Sequence, residues 1–129
     1  MEYSADTHTL LWYLDGNLAL PQKIAVALDN SEKIIVSIVS LWEITIKLSL
    51  GKIELAFSLE QLRDKMSSDK RFKMLDILFD HLISLNKLPH HHNDPFDRLL
   101  IAQGISEDLA IVSADRHFAA YPIKVVWSV

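Results

Sequence analysis

The sequence contains no cysteine, three glycines and four prolines among its 129 residues. The absence of cysteine excludes disulfide bridges and thiolate metal sites, and with them zinc-finger and thiol-redox chemistry. Because chain-breaking residues are few and half of the residues are apolar, the composition is typical of a folded globular protein rather than a disordered one. The length predicts one domain over residues 1–129.

Long apolar runs are also absent. Glu43 and Lys47 interrupt the longest candidate, residues 34–50, which therefore cannot supply the roughly 20 apolar residues that span a bilayer. The first residues lack the basic and then apolar pattern of an export signal. Together with the missing cysteines, which suit a reducing compartment, these features predict a soluble cytoplasmic protein that does not act in a membrane.

The net charge of −4 does not by itself favour a nucleic-acid partner, because phosphate contacts usually need clustered Lys and Arg. Five acids are candidates for one site, and setting them aside moves the formal balance from −4 to +1. They are Asp6, Glu43, Asp94, Asp97 and Asp115. A bound divalent cation would restore attraction for phosphate there. Candidates for a basic rim are Lys47, Lys52, Lys70, Arg71, Lys73, Arg98 and Arg116.

Strand and helix patterns alternate along the chain without repeats or long linkers. Short strands are predicted at residues 2–6, 34–37, 72–75, 110–113 and 124–127, and the second, fourth and fifth of them are rich in β-branched residues. Helices are predicted at 7–14, 21–29, 39–50, 58–67, 77–87 and 95–107, with Gly51 ending the third and an apolar stripe of Leu78, Leu82 and Leu85 on the fifth. Because parallel strands need right-handed crossovers, this order predicts a three-layer α/β/α sandwich around a short parallel sheet.

Four acids are expected to meet at one edge of that sheet. Asp6 ends the first strand and Asp115 follows the fourth, so both emerge at the carboxyl edge, where open α/β sheets bind ligands. Glu43 lies one turn into the third helix, on a largely apolar face, and Asp97 lies in the first turn of the sixth. Clustered carboxylates repel one another unless a hard cation with oxygen ligands is bound. The cluster therefore predicts a metal site for a cation such as Mg²⁺ or Mn²⁺.

Each acid also has a purely structural explanation. Asp6 can cap the helix that follows it, and Glu43 can pair with Lys47 four residues on. Asp115 can be a turn residue, Asp94 is explained as the N-cap of the sixth helix, and Asp97 is explained in part by the favourable field of a helix N-terminus. Four acids at one edge are harder to explain in this way than any one of them.

Several stretches carry a resemblance to a known family. They are Ala5-Asp6-Thr7-His8-Thr9-Leu10-Leu11-Trp12, Ser40-Leu41-Trp42-Glu43-Ile44, His92-Asn93-Asp94-Pro95-Phe96-Asp97-Arg98-Leu99-Leu100-Ile101-Ala102-Gln103, Ser113-Ala114-Asp115 and Val125-Val126-Trp127. In order and spacing they resemble the motifs of VapC-like PIN domains over nearly the whole chain. The stretch from Asp94 to Gln103 is the most specific part.

The resemblance implies a Mg²⁺- or Mn²⁺-dependent endoribonuclease, usually the toxin of a type II toxin-antitoxin pair, which a small cognate antitoxin neutralises. It also suggests a homodimer. Asp6, Glu43, Asp97 and Asp115 match the family's metal-binding acids, and Ser113 matches a Ser or Thr near the metal-bound water. Further candidates for supporting the site or contacting RNA are Thr7, His92, Asp94 and Arg98. One departure is Gly104, which costs about 1 kcal/mol relative to Ala inside a helix unless close packing requires it.

Other functions stay open. A PIN-fold nuclease of RNA processing without a toxin role, or a non-catalytic PIN-like binding module, would share this pattern. A phosphatase of the haloacid-dehalogenase type needs a second acid two residues after the first, where this chain has His8. A dinucleotide-binding domain is disfavoured because no Gly-x-Gly turn follows a strand.

Two further groups of residues attract a functional interpretation. The run His90-His91-His92 is interpreted as a solvated loop, because neighbouring side chains in a loop rarely converge on one ion. Trp12, Tyr13, Leu41 and Trp42 are expected in the core, with lining of an apolar groove for an antitoxin helix as the alternative.

Overall fold

The computed structural model describes residues 3–127, in which five strands alternate with six α-helices. In chain order these elements are β1 (Tyr3–Ala5), α1 (Thr7–Asp15), α2 (Gln22–Asp29), β2 (Ile34–Ser37), α3 (Ile38–Ser49), α4 (Leu59–Ser68), β3 (Phe72–Leu75), α5 (Phe79–Lys87), α6 (Pro95–Ser106), β4 (Ala110–Val112) and β5 (Val125–Val126). A short 3₁₀ helix at Arg116–Ala120 lies between the last two strands. No helix within residues 3–127 is both long and apolar enough to cross a bilayer.

All five strands are parallel, in the order β3-β2-β1-β4-β5, which confirms the predicted parallel sheet. The short first strand lies at the centre, with Tyr3 opposite Ile34 on one side and Ala110 on the other. The chain moves outward from β1 to β3 and then returns to β4 on the other side of β1. The direction of winding therefore reverses between β1 and β4, and open α/β sheets have their ligand crevice at such a point.

Helices cover both faces of the sheet, which confirms the three predicted layers. One apolar cluster joins α1, α2, α4 and the middle of α3 to the sheet, and a second joins α6 and the 3₁₀ helix to the other face. Adjacent residues of β4 divide between them, because Val112 packs in the first cluster and Ile111 in the second. This alternation is what a strand buried on both faces requires.

Most helix ends lie where the local sequence predicts them. Gly16 and Gly51, which follow α1 and α3, both have positive φ. The capping box at Ser58 is present, with reciprocal hydrogen bonds to Gln61. Gly104 packs closely against Ile123, and an added Cβ would displace the Cδ1 atom at the end of that side chain.

The predicted start and apolar stripe of α5 are wrong. The helix begins at Phe79 rather than at residue 77, and Leu78 and Leu82 are 49% and 44% exposed. The residue that α5 buries completely is His81. Its Nδ1 atom accepts a hydrogen bond from the backbone N–H of Leu78, so its Nε2–H donates toward Glu107 at 3.3 Å. These polar contacts fix the inward face of the helix together with Leu85, the one stripe residue that packs against the second apolar cluster.

A buried glutamine connects this face to the sheet edge. Gln103 accepts a hydrogen bond from the hydroxyl of Ser37 and donates from Nε2 to the carbonyl of Asp76 at 3.2 Å. Ser37 in turn caps α3, since its Oγ atom accepts from the N–H of Val39. The start of α3, and with it the acid that this helix carries, is therefore held by α6.

We expect Gln103→Met to lower the free energy of unfolding by about 2 kcal/mol, because it leaves the buried Ser37 hydroxyl hydrogen without an acceptor and removes the donor to the Asp76 carbonyl. Urea denaturation measures the change. Gln22→Met, at an exposed position in the first turn of α2, is the matched control and should change stability little. Equal effects of the two substitutions would contradict a structural role for the Gln103 amide.

Candidate active site

Asp6 and Ser113 follow the central strands β1 and β4 and meet at their carboxyl ends. The backbone N–H of Asp6 donates to the carbonyl of Val112 at 3.2 Å, which extends the ladder by one residue. One carboxylate oxygen of Asp6 then caps α1 through the N–H of Thr9, and the other accepts a hydrogen bond of 2.6 Å from the Ser113 hydroxyl. Asp6 is thus a helix cap and a member of the site at once.

Glu43 is buried between α1 and α3. Its Oε1 atom accepts a hydrogen bond of 2.7 Å from the Thr7 hydroxyl, and its Oε2 atom lies 2.9 Å from the ammonium of Lys47. The expected pair with Lys47 is therefore present. A salt bridge between residues four apart on a helix surface does not require a buried carboxylate. Only 9% of the Glu43 side chain is accessible, so the pair with Lys47 does not explain its burial.

Asp94 and Asp97 open α6. Asp94 is the N-cap, as expected, because its Oδ1 atom accepts a hydrogen bond from the backbone N–H of Asp97. The Oδ2 atom of Asp97 lies 2.9 Å from the Nε2 atom of His92. Asp97 therefore has a hydrogen-bond partner of its own, separate from the cap.

The ionisation of Asp97 shows that the acids share one electrostatic environment. Burial, and to a smaller extent the negative charges of Asp94, Asp115 and Glu43, together raise the pKa of this carboxyl to about 6. The hydrogen bond with His92 opposes this shift. Carboxylates from α3, α6 and the segment after β4 are thus close enough to repel one another.

Asp115 lies at the start of the 3₁₀ helix. Burial raises the pKa of its carboxyl, but hydrogen bonds from the backbone and the imidazole of His117 outweigh burial and hold the pKa below its usual value. The two bonds to Oδ1 measure 2.9 and 2.8 Å. The N–H of Asp115 also donates to Oγ of Ser113, so one hydroxyl connects Asp115 to Asp6.

His117 is a neighbour of the site that sequence reasoning missed. Its ring stacks on that of His92, with centroids 4.3 Å apart and planes 8° from parallel. Nitrogen or carboxylate atoms of His92, Asp115 and His117 lie within 4.8 Å of one another. The sequence feature that could have indicated His117 is its position two residues after Asp115, because an imidazole at that spacing can hydrogen-bond back to the carboxylate.

The structure does not bring Arg98 to the acids. Its guanidinium is buried and donates to the carbonyls of Pro89 and His92 and to the Tyr121 hydroxyl. Arg71, another candidate for a basic rim, forms a bidentate pair with Asp69. Both guanidinium groups therefore stabilise the fold rather than offering charge to a phosphate.

Of the four residues expected in the core, Trp42 differs most from the prediction. Trp42 is 55% exposed and meets Phe96 edge-on at 5.1 Å, so it is not a core residue. Trp12 and Tyr13 are half-buried against the first apolar cluster, as expected. Leu41 lines a groove between α3, α4 and β3.

The donor set at the sheet edge fits a hard divalent cation. Asp6, Glu43, Asp97 and Asp115 carry carboxylate oxygens, the atoms that Mg²⁺ and Mn²⁺ prefer. Within residues 3–127, the His, Asp or Glu group with ligand atoms within 4.8 Å of one another consists of His92, Asp115 and His117. The pKa of Asp97 is raised first by burial and then by the negative charges of Asp94, Asp115 and Glu43, and a cation would relieve that repulsion.

We expect Asp97→Asn to stabilise the metal-free protein at pH 7 by about 1 kcal/mol. Because the folded-state pKa of about 6 lies above the usual 3.8, the ionised group opposes folding. This penalty is absent below pH 3.8 and complete above about pH 6. Urea denaturation with EDTA at pH 7.5 and 4 measures it. Glu54→Gln, at an exposed loop position, is the control, and an unchanged or lower stability of Asp97→Asn at pH 7.5 would contradict the assignment.

Comparisons with known proteins agree with this architecture. The PIN domain family model matches residues 3–124. No curated protein sequence matches the chain. A chain of the VapBC2 complex from Rickettsia felis, bound to a promoter DNA fragment, shares the fold with a TM-score of 0.71 at 17% identity, over 99% of this chain and 100% of that one.

Two further solved structures share the fold at similar distances. A chain of the DNA-bound VapBC complex from Salmonella typhimurium has a TM-score of 0.70 at 19% identity, over 98% of this chain and 97% of that one. A chain of FitAcB from Neisseria gonorrhoeae has a TM-score of 0.67 at 15% identity, over 95% of each chain. Since the family model spans nearly all of the described residues, this chain belongs to the PIN domain family.

Proposed function

We propose that the chain is a Mg²⁺- or Mn²⁺-dependent endoribonuclease and the toxin of a VapBC-like toxin-antitoxin pair. The observation that carries the proposal is the set of hydrogen-bonded carboxylates at the ligand edge of the sheet, where Ser113 holds Asp6, Thr7 holds Glu43 and His92 holds Asp97. Membership of the PIN domain family supports nuclease chemistry. The likeness of the fold to chains of VapBC complexes supports the toxin role.

In this proposal Asp6, Glu43, Asp97 and Asp115 would hold the cation, which would supply Lewis acidity for hydrolysis of an RNA phosphodiester bond. The chain's own contribution is orientation. Ser113 fixes one oxygen of Asp6, and Thr7 fixes one oxygen of Glu43. Because these hydrogen bonds come from buried hydroxyls, the carboxylates are positioned before substrate arrives.

We expect Asp6→Asn and Asp97→Asn each to lower RNA cleavage at least 100-fold, because each removes a negatively charged ligand. Cleavage of a panel of cellular RNAs with Mn²⁺, with and without EDTA, measures the effect. Asp80→Asn, which removes an exposed acid in the first turn of α5, is the matched control and should cleave normally.

A fully active Asp6→Asn protein, or cleavage insensitive to EDTA, would contradict the metal mechanism. Induced expression in a bacterium separates the toxin from an RNA-processing nuclease. A toxin arrests growth unless Asp97 is replaced, and the product of an adjacent small open reading frame restores growth. Cleavage without growth arrest would favour RNA processing.

The cognate antitoxin is the partner proposed for the groove between α3, α4 and β3. The groove has a volume of about 300 Å³ and a mainly apolar lining. The lining includes Leu41, Leu59, Leu62, Met66, Phe72 and Met74. An amphipathic helix or an extended segment of a small protein fits such a surface.

A homodimer is proposed through the exposed face of α5. Phe79, Leu82 and Ile83 lie on one side of this helix at helical spacing, and Phe79 is 76% exposed. An exposed apolar stripe of this kind marks an interface more often than a free surface. Its position on α5 separates it from the groove beside α4.

We expect Phe79→Ser to convert the dimer to a monomer with little loss of monomer stability, since the side chain is already exposed. Light scattering after gel filtration measures the mass. Leu18→Ser is the control, because Leu18 is 97% exposed elsewhere on the surface. A dimer that survives Phe79→Ser would place the interface on another face.

A further inference from the structure

We propose that His92 and His117 act as a paired brace that positions Asp97 and Asp115 and thereby sets the affinity of the site for its cation. The inference rests on the proposed function, because it assumes that these two carboxylates bind a cation. It assigns to the imidazoles a positioning role rather than direct contact with substrate or metal.

Each imidazole holds one carboxylate, and the two imidazoles hold each other. The Nε2 atom of His92 lies 2.9 Å from Asp97, and the Nδ1 atom of His117 lies 2.8 Å from Asp115. The rings stack at 4.3 Å and 8°. A continuous chain of contacts therefore links α6 to the segment after β4 through the two imidazoles. It joins the carboxylates of Asp97 and Asp115, whose negative charges repel each other.

The backbone on either side of the brace is fixed by one tyrosine. The hydroxyl of the buried Tyr121 accepts hydrogen bonds from the N–H groups of His91 and His92, at 3.1 and 3.0 Å. Tyr121 is also the residue that ends the 3₁₀ helix carrying His117. The two imidazoles are thus presented by segments that share an anchor, as a positioning pair requires.

Hydrogen-bond chemistry fixes the tautomers. An ionised carboxylate only accepts, so the neutral His92 ring carries its hydrogen on Nε2 and the neutral His117 ring on Nδ1. Each carboxylate then has one oxygen bound to an imidazole and a second oxygen for a cation. Residues that orient metal ligands in this way typically change metal affinity by about 10- to 100-fold when removed.

The test measures Mn²⁺ affinity by calorimetry, which does not depend on RNA cleavage. We expect His92→Ala and His117→Ala each to weaken Mn²⁺ binding about tenfold without lowering the melting temperature of the metal-free protein. His90→Ala is the control, because His90 is exposed in the same loop and should bind Mn²⁺ as the wild type does. Wild-type affinity in both imidazole variants would overturn the brace.

Conservative variants distinguish positioning from mere packing. His92→Gln places an amide N–H near the former Nε2 position, and His117→Asn places one near the former Nδ1 position, so both should recover most of the affinity. Alanine-like affinity in both variants would overturn the positioning role. In the metal-free protein, ring-nitrogen NMR should show the Nε2–H tautomer for His92 and the Nδ1–H tautomer for His117, and the opposite tautomers would also overturn it.

Zn²⁺ titration separates the brace from direct ligation, since imidazole nitrogen is a favoured zinc ligand. If the alanine variants lose Zn²⁺ affinity but keep Mn²⁺ affinity, the imidazoles are ligands and the brace is wrong. A wild-type protein that binds no Mn²⁺ at all would overturn the proposed function as well. Intact Mn²⁺ binding that depends on Asp97 but not on the imidazoles would overturn the brace alone.

Discussion

Parallel pairing of β1 with β4 is the constraint on which the site depends. Ala5 lies opposite Val112 in this pairing, so the next residue of each strand, Asp6 and Ser113, emerges at the same point of the sheet edge. Both strands are only three residues long, and a shift of register by one residue would turn Asp6 toward the wrong face. The apolar clusters on the two faces prevent such a shift, because each strand residue already has a defined side.

Features set by local chemistry could be predicted from the sequence, and features set by distant contacts could not. The Asp94 cap, the Ser58 capping box and the turn at Gly51 each depend on a few consecutive residues, and all are present. The burial of His81 depends on Glu107, and the position of Arg98 depends on Tyr121. Neither partner is close in sequence, so no local pattern could indicate which polar side chain would be buried.

Asp97 lowers the stability of the fold that holds it. Burial and neighbouring negative charge oppose ionisation of Asp97, while buried hydroxyls of Thr7 and Ser113 hold Glu43 and Asp6 in place. A site that is rigid and electrostatically unfavourable without a bound cation is expected to bind one tightly, because binding relieves repulsion without a cost in side-chain ordering. The need to hold these carboxylates in place explains why the hydroxyls of Thr7 and Ser113 lie near the sheet edge.

The salt bridge between Lys47 and Glu43 gives the site an internal counterion. The Lys47 ammonium neutralises the Glu43 carboxylate in the absence of any other ion. It does so at the Oε2 atom, which the proposed divalent cation would also use. Any ion that engages this oxygen has to compete with a cation tethered one helical turn away. If Glu43 holds the proposed cation, its uptake would exchange one positive charge for another rather than simply add one, and it would leave the Lys47 ammonium beside the sheet edge.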